Sequence, residues 1–91
     1  MKPGRKLVEQ GASACTEADL LAILVGTGGR GYGAEDVARD ILARYGTAAG
    51  LMDAPLAELA RIRGVGPVKA IRIAAAYELT ARMIRHLEQH G

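Results

Sequence analysis

Leu59-Ala60-Arg61-Ile62-Arg63-Gly64-Val65-Gly66-Pro67-Val68-Lys69-Ala70 is the stretch on which the reading of this chain turns. Gly64 and Gly66 let the backbone reverse sharply and approach a ligand without a Cβ in the way, and Val65 between them is expected to point inward and pin the turn. Pro67 suits the first turn of a helix, where its missing N–H would have had no partner in any case. The turn therefore feeds directly into a helix N-terminus. Unpaired N–H groups and the positive end of the helix dipole make such a place suitable for one phosphate oxygen. The candidate donors are the amides of Gly64, Gly66, Val68 and Lys69, and the Lys69 ammonium can reach the same phosphate or its neighbour.

On the N-terminal side of that turn, Asp53-Ala54-Pro55 restarts a short helix with Pro55 near its first position, and Leu56, Leu59 and Ile62 form its expected inward stripe. On the C-terminal side a helix continues to about His86 or beyond. Its Ala70–Leu79 portion is apolar on nearly every side except at Arg72 and Glu78, so it is expected to be the central, most buried helix.

The first half of the chain repeats this outline. A short helix is expected at 5–10, ending near Gly11. Thr16 reads as an N-cap with Asp19 three residues on, followed by Leu20, Leu21, Ile23 and Leu24 at helical spacing to about Val25. A glycine run, Gly26-Thr27-Gly28-Gly29-Arg30-Gly31-Tyr32-Gly33, leads into Ala34–Tyr45. That helix carries Val37, Ile41, Leu42 and Tyr45 on one face, Glu35 and Asp36 in its first turn, and Gly46 as its stop. Residues 47–52 make one short connecting turn of helix. The predicted fold is thus all-α, a compact bundle of five to six helices in a single domain over 1–91. It contains two helix-hairpin-helix units, about 16–45 and about 55–88, arranged around a pseudo-two-fold axis.

Composition agrees. Ninety-one residues with 49% hydrophobic content, no Phe or Trp and three Tyr suit one domain with an aliphatic core, burying roughly 60–65% of its unfolded surface. The single cysteine, Cys15, excludes an internal disulfide and a cysteine zinc site, and is read as a packing residue. No secretory signal and no membrane-spanning run is present, so a soluble, cytoplasmic protein without a membrane partner is expected. Twelve basic and ten acidic residues leave a net charge of only +2. Distribution carries more information than the total: no carboxylate occurs between Leu59 and Tyr77, whereas Arg61, Arg63, Lys69 and Arg72 all do.

The residues expected on nucleic-acid phosphate are Arg63, Gly64, Val65, Gly66, Val68, Lys69 and Arg72, with Gly28, Arg30 and Gly31 as a secondary hairpin. Nothing in this set reads base edges, so binding to duplex or branched DNA should be independent of sequence and sensitive to salt. About three neutralised phosphates would give a log–log salt slope near −2.7 and a Kd on the order of 10⁻⁴–10⁻⁶ M.

Three segments carry a resemblance to a known family. Pro3-Gly4-Arg5-Lys6-Leu7-Val8-Glu9-Gln10-Gly11, Thr16-Glu17-Ala18-Asp19-Leu20-Leu21-Ala22-Ile23-Leu24-Val25-Gly26-Thr27-Gly28 and Gly64-Val65-Gly66-Pro67-Val68-Lys69-Ala70 resemble the N-terminal helix-hairpin-helix region of the RadC-like bacterial DNA-repair-associated proteins. The resemblance covers about residues 3–85. It implies DNA binding linked to repair or recombination, and a C-terminal metal-binding JAB-type domain as a partner. No motif of that domain occurs here, so the expectation is an excised fragment or a stand-alone variant, with no hydrolase activity to carry over.

Competing chemistries are weaker. Gly26–Gly31 matches Gly-x-Gly-x-x-Gly, but a dinucleotide site needs a strand before it. Lys69 lies one residue late for a glycosylase nucleophile, the corresponding position being Val68. His86 and His90 share a helix face, but two ligands do not make a metal site. Neither an enzyme nor a cofactor is expected. The alternative to DNA binding is a protein–protein docking module of the same fold with no intrinsic DNA grip.

Overall fold

A computed structural model describes residues 1–91. The chain is all-α. Its helices are α1 (Pro3–Gln10), α2 (Glu17–Val25), α3 (Ala34–Tyr45), α4 (Leu56–Ala60) and α5 (Gly66–His90), with 3₁₀ turns at Ala12–Ala14 and Ala48–Leu51 and no strand. α1 begins two residues earlier than periodicity suggests, because Pro3 opens it.

α2 is held at its start by a reciprocal cap. The Asp19 N–H donates to Thr16 Oγ1 at 3.1 Å, and the Thr16 N–H donates to Asp19 Oδ2 at 2.9 Å. Gly46, at φ +82°, ends α3 as expected. α2 packs chiefly on α3 and α4 on α5. The core joins the two pairs: Leu21, Ala22 and Val25 of α2 and Val37, Ala38 and Ile41 of α3 form one cluster with Leu51, Leu59, Ile62, Val65, Ala70 and Ile73. Each fully buried Val, Leu or Ile side chain in it contributes about 1.5–3 kcal/mol. Polar bonds fix the link between the pairs. Glu17 Oε1 accepts the Ala48 N–H at 2.7 Å, and the Tyr77 hydroxyl donates to the Ala48 carbonyl at 2.8 Å.

Two expectations fail. α5 is not the central helix: only Ala70 and Ile73 of it are buried, while Ile71 and Leu79 are 58% and 57% exposed. The alanines at 70, 74, 75 and 76 make that stretch apolar on all sides without requiring neighbours on all sides. α2 and α3 hold the centre instead, and α5 lies along one flank and runs past the bundle. Leu59 of α4 and Ile62 just beyond its end are buried, but Leu56 is 51% exposed. The helix starts one residue later than anticipated, with Pro55 as the extended N-cap, so Leu56 opens its solvent side.

Candidate nucleic-acid interface

Arg61–Val65 carry the chain from α4 into α5. Val65 is buried, 5% exposed, and its N–H donates to the Ile62 carbonyl at 3.0 Å, so the turn is fastened from within. Both glycines have positive φ, +85° at Gly64 and +70° at Gly66. Their surroundings differ. A Cβ on Gly64 would stand 2.5 Å from Val37 Cγ2 and 3.5 Å from the Tyr32 ring, whereas one on Gly66 would meet nothing within 4 Å. Gly64 thus lets α3 close against the turn, and Gly66 leaves the outer side bare.

On that bare side the amides of Gly64, Gly66 and Val68 donate to no backbone carbonyl, and no side chain caps α5. Val68 is exposed, as are Arg61, Arg63 and Arg72. The Arg63 guanidinium carbon lies 4.0 Å from the centroid of the Tyr32 ring. Lys69 is half-buried, its ammonium donating to the Gly64 carbonyl at 3.2 Å; two of its three protons remain for another acceptor.

Electrostatics single out the same place. Six of the twelve cations form ion pairs: Arg5 with Glu9, Lys6 with Asp19, Arg39 with Asp36, Arg44 with Glu58, and both Arg82 and Arg85 with Glu78. Lys2, Arg30, Arg61, Arg63, Lys69 and Arg72 pair with no carboxylate, and four of these flank the Gly64–Gly66 turn in the sequence. Two of the paired acids, Asp19 and Glu78, are stabilised as anions. The Asp19 carboxyl is held below its ordinary value, first by the Thr16 N–H and then by Lys6, and Glu78 is lowered chiefly by Arg82.

The earlier glycine turn is built otherwise. A Cβ on Gly28 would collide with the Tyr32 carbonyl and the Gly33 backbone, and the Tyr32 N–H donates to the Gly29 carbonyl at 3.1 Å. Gly31 has φ +70°, and Arg30 is exposed beside it. At the start of α3, however, Asp36 Oδ2 accepts the Gly33 N–H at 2.9 Å, with Glu35 alongside. A carboxylate thus sits at the N-terminus that would face a phosphate there. Ile23, Leu24 and Val25 are the last residues of α2, so no strand precedes the glycines as a dinucleotide site requires. His86 and His90 stack with centroids 4.6 Å apart at the exposed end of α5, and no third ligand-type residue joins them.

Sequence reasoning overlooked Tyr32. Its only mark in the sequence is that of a lone aromatic inside a glycine run.

These features define an all-α domain with one closed and one open glycine turn. Residues 1–71 match the family described as UPF0758 N-terminal, and the chain belongs to that family, the RadC-like proteins its motifs resemble. It is 44% identical over 90 residues to a UPF0758 protein of Xanthomonas euvesicatoria pv. vesicatoria, covering 99% of this chain and 40% of that one. With a UPF0758 protein of Stenotrophomonas maltophilia it shares 40% identity over 90 residues, covering 99% and 38%. The chain therefore spans about two fifths of the length of the curated relatives it matches. No solved structure gives a significant match. No helix is long and apolar enough to cross a membrane.

Proposed function

We propose that this domain binds DNA without sequence preference, through backbone phosphates held at the Gly64–Gly66 turn, as part of a repair- or recombination-associated protein. The observation that carries this reading is the coincidence of unsatisfied amides at a long helix's N-terminus with four cations that no carboxylate neutralises. Two helix-hairpin-helix units, α2–α3 and α4–α5, present it. Gly64, Gly66 and Val68 supply N–H donors, Val65 anchors the turn, and Arg63, Lys69 and Arg72 supply charge; Arg30 with Gly28 and Gly31 is a secondary contact. The domain holds nucleic acid and does not cut it. Titrating a labelled duplex and a branched DNA at low salt tests this. Wild type should bind with a log–log salt slope near −2.7 for about three phosphates, and Gly66→Asp and Lys69→Glu should bind weakly. Equal binding by all three would sink it.

Protein docking is a second reading, favoured by the apolar side chains Leu79, Met83, Ile84 and Leu87 that α5 leaves exposed. A stable dimer in sedimentation, lost in Ile84→Glu, together with no DNA binding, would favour it.

A further inference from the structure

We propose that Tyr32 is a positioning residue for DNA binding: it stands in the first glycine turn, contacts no phosphate itself, and aims Arg63 of the second. This inference rests on the phosphate reading of the Gly64–Gly66 turn.

Three observations converge on Tyr32. The Arg63 guanidinium carbon lies over its ring, 4.0 Å from the centroid, within cation–π range of a face that suits a planar cation better than an ammonium. The same ring lies 3.5 Å from where a Gly64 Cβ would be, so it supports the backbone as well as the side chain of the adjoining residue. And Arg63 has no carboxylate partner, so the ring is what restrains it. The Tyr32 hydroxyl is buried without a hydrogen bond in the protein, which assigns the role to the ring rather than to the phenol.

Tyr32 is itself set by the first turn. Its N–H is bonded to the Gly29 carbonyl, and its carbonyl is packed against Gly28 so closely that only glycine fits there. A chain of contacts thus runs from the glycines of the first turn, through an aromatic ring, to a cation beside the open amides of the second. A free arginine must give up rotamer freedom to meet a phosphate; one already stacked has done so. The first turn then contributes to DNA affinity even though a carboxylate stands at its own helix terminus.

The test is a cycle of Tyr32→Leu, Tyr32→Phe, Arg63→Gln and the double variant Tyr32→Leu/Arg63→Gln, titrated with a labelled duplex across a salt series, with thermal melts as a folding control. Tyr32→Leu should weaken binding about 2–5-fold and move the salt slope toward that of Arg63→Gln, which loses about 0.9 for one phosphate. Tyr32→Phe should match wild type. The double variant should be no weaker than Arg63→Gln alone. Additive losses, an unchanged salt slope in Tyr32→Leu, or failure of Phe to restore binding would each overturn the proposal. Should Tyr32→Leu fail to fold, Arg63→Lys reads the same stack: it keeps the charge and loses the planar contact, so binding at wild-type strength would overturn the proposal and a 2–5-fold loss would support it. A wild type that binds no DNA rejects the phosphate reading itself, whereas a wild type that binds while the cycle is additive rejects only the role of Tyr32.

Discussion

The two glycine turns differ at one comparable position. Counting from the first residue of the helix that follows, the third is Asp36 in α3 and Val68 in α5. Asp36 turns its carboxylate back onto the Gly33 N–H, and Asp19 does the same for Thr16 at the start of α2. α3 and α2 therefore carry their own anion where the helix dipole favours one. Val68 cannot do this, the N–H of the N-cap Val65 is already bonded to the Ile62 carbonyl, and Pro67 supplies no charge either, so α5 starts without an anion of its own, amid unpaired cations. α1 also lacks an acid in its first turn, but Lys2 rather than glycine is its N-cap, and its Arg5 is paired with Glu9. The comparison teaches that the two turns share glycine content and divide the labour: one is closed and structural, the other is left incomplete.

The comparison can be broken most forcefully at Gly64. Gly64→Ala forces a Cβ against Val37 at a positive φ, and should cost about 2–4 kcal/mol of stability. Gly66→Ala, with the same sign of φ but open space, should cost only about 1–2 kcal/mol. Chemical denaturation of the two variants reads the difference, and equal losses would mean that Gly64 is not a packing glycine.

Charge reversal sharpens the functional contrast. Lys69→Glu should weaken duplex binding at least about 10-fold and Arg30→Glu only about 2-fold, since a lost phosphate contact is accompanied by a new repulsion at the open turn alone. Anisotropy titrations at one salt concentration suffice. A larger loss in Arg30→Glu would make the first turn the main contact.

Removing the acid from the closed turn should be mild. Asp36→Ala releases the Gly33 N–H and should cost about 0.5–1 kcal/mol of stability while leaving DNA affinity equal or slightly higher. A loss of affinity would show that the closed turn works through Asp36.

Acid should act at Asp19. Its carboxyl is lowered in the fold by the Thr16 N–H and Lys6, so its stabilisation is present above the unfolded value and is lost as pH falls through the folded one. Melting temperatures between about pH 5 and pH 2.5 should therefore decline less steeply in Asp19→Asn than in wild type.

Much of this architecture is legible in the sequence where local chemistry decides the structure. Thr16 with Asp19 announces the start of α2, Gly46 the end of α3, and Gly64-Val65-Gly66-Pro67 a turn with one inward side chain. What fails to show is whatever depends on distant neighbours. The alanine-rich part of α5 reads as central because apolar content does not say how many sides are covered. Leu56 reads as inward because a shift of one residue at Pro55 changes the face. The Tyr32–Arg63 contact joins residues from the two halves of the chain, and no periodicity links them. The local basic window is visible in the sequence, but that six of the eight other cations are neutralised in pairs while all four of this group stay unpaired requires the fold.

The central claim, that the missing N3 carboxylate is what leaves α5 available to a phosphate, is tested most directly by Val68→Asp. This variant gives the open turn the acid of the closed one. Salt-dependent duplex titrations and thermal melts of wild type and variant should show opposite effects: stability raised by about 0.3–1 kcal/mol through the helix dipole, and DNA affinity reduced at least about 10-fold with a shallower salt slope. Unchanged affinity and slope in a folded Val68→Asp would contradict the account.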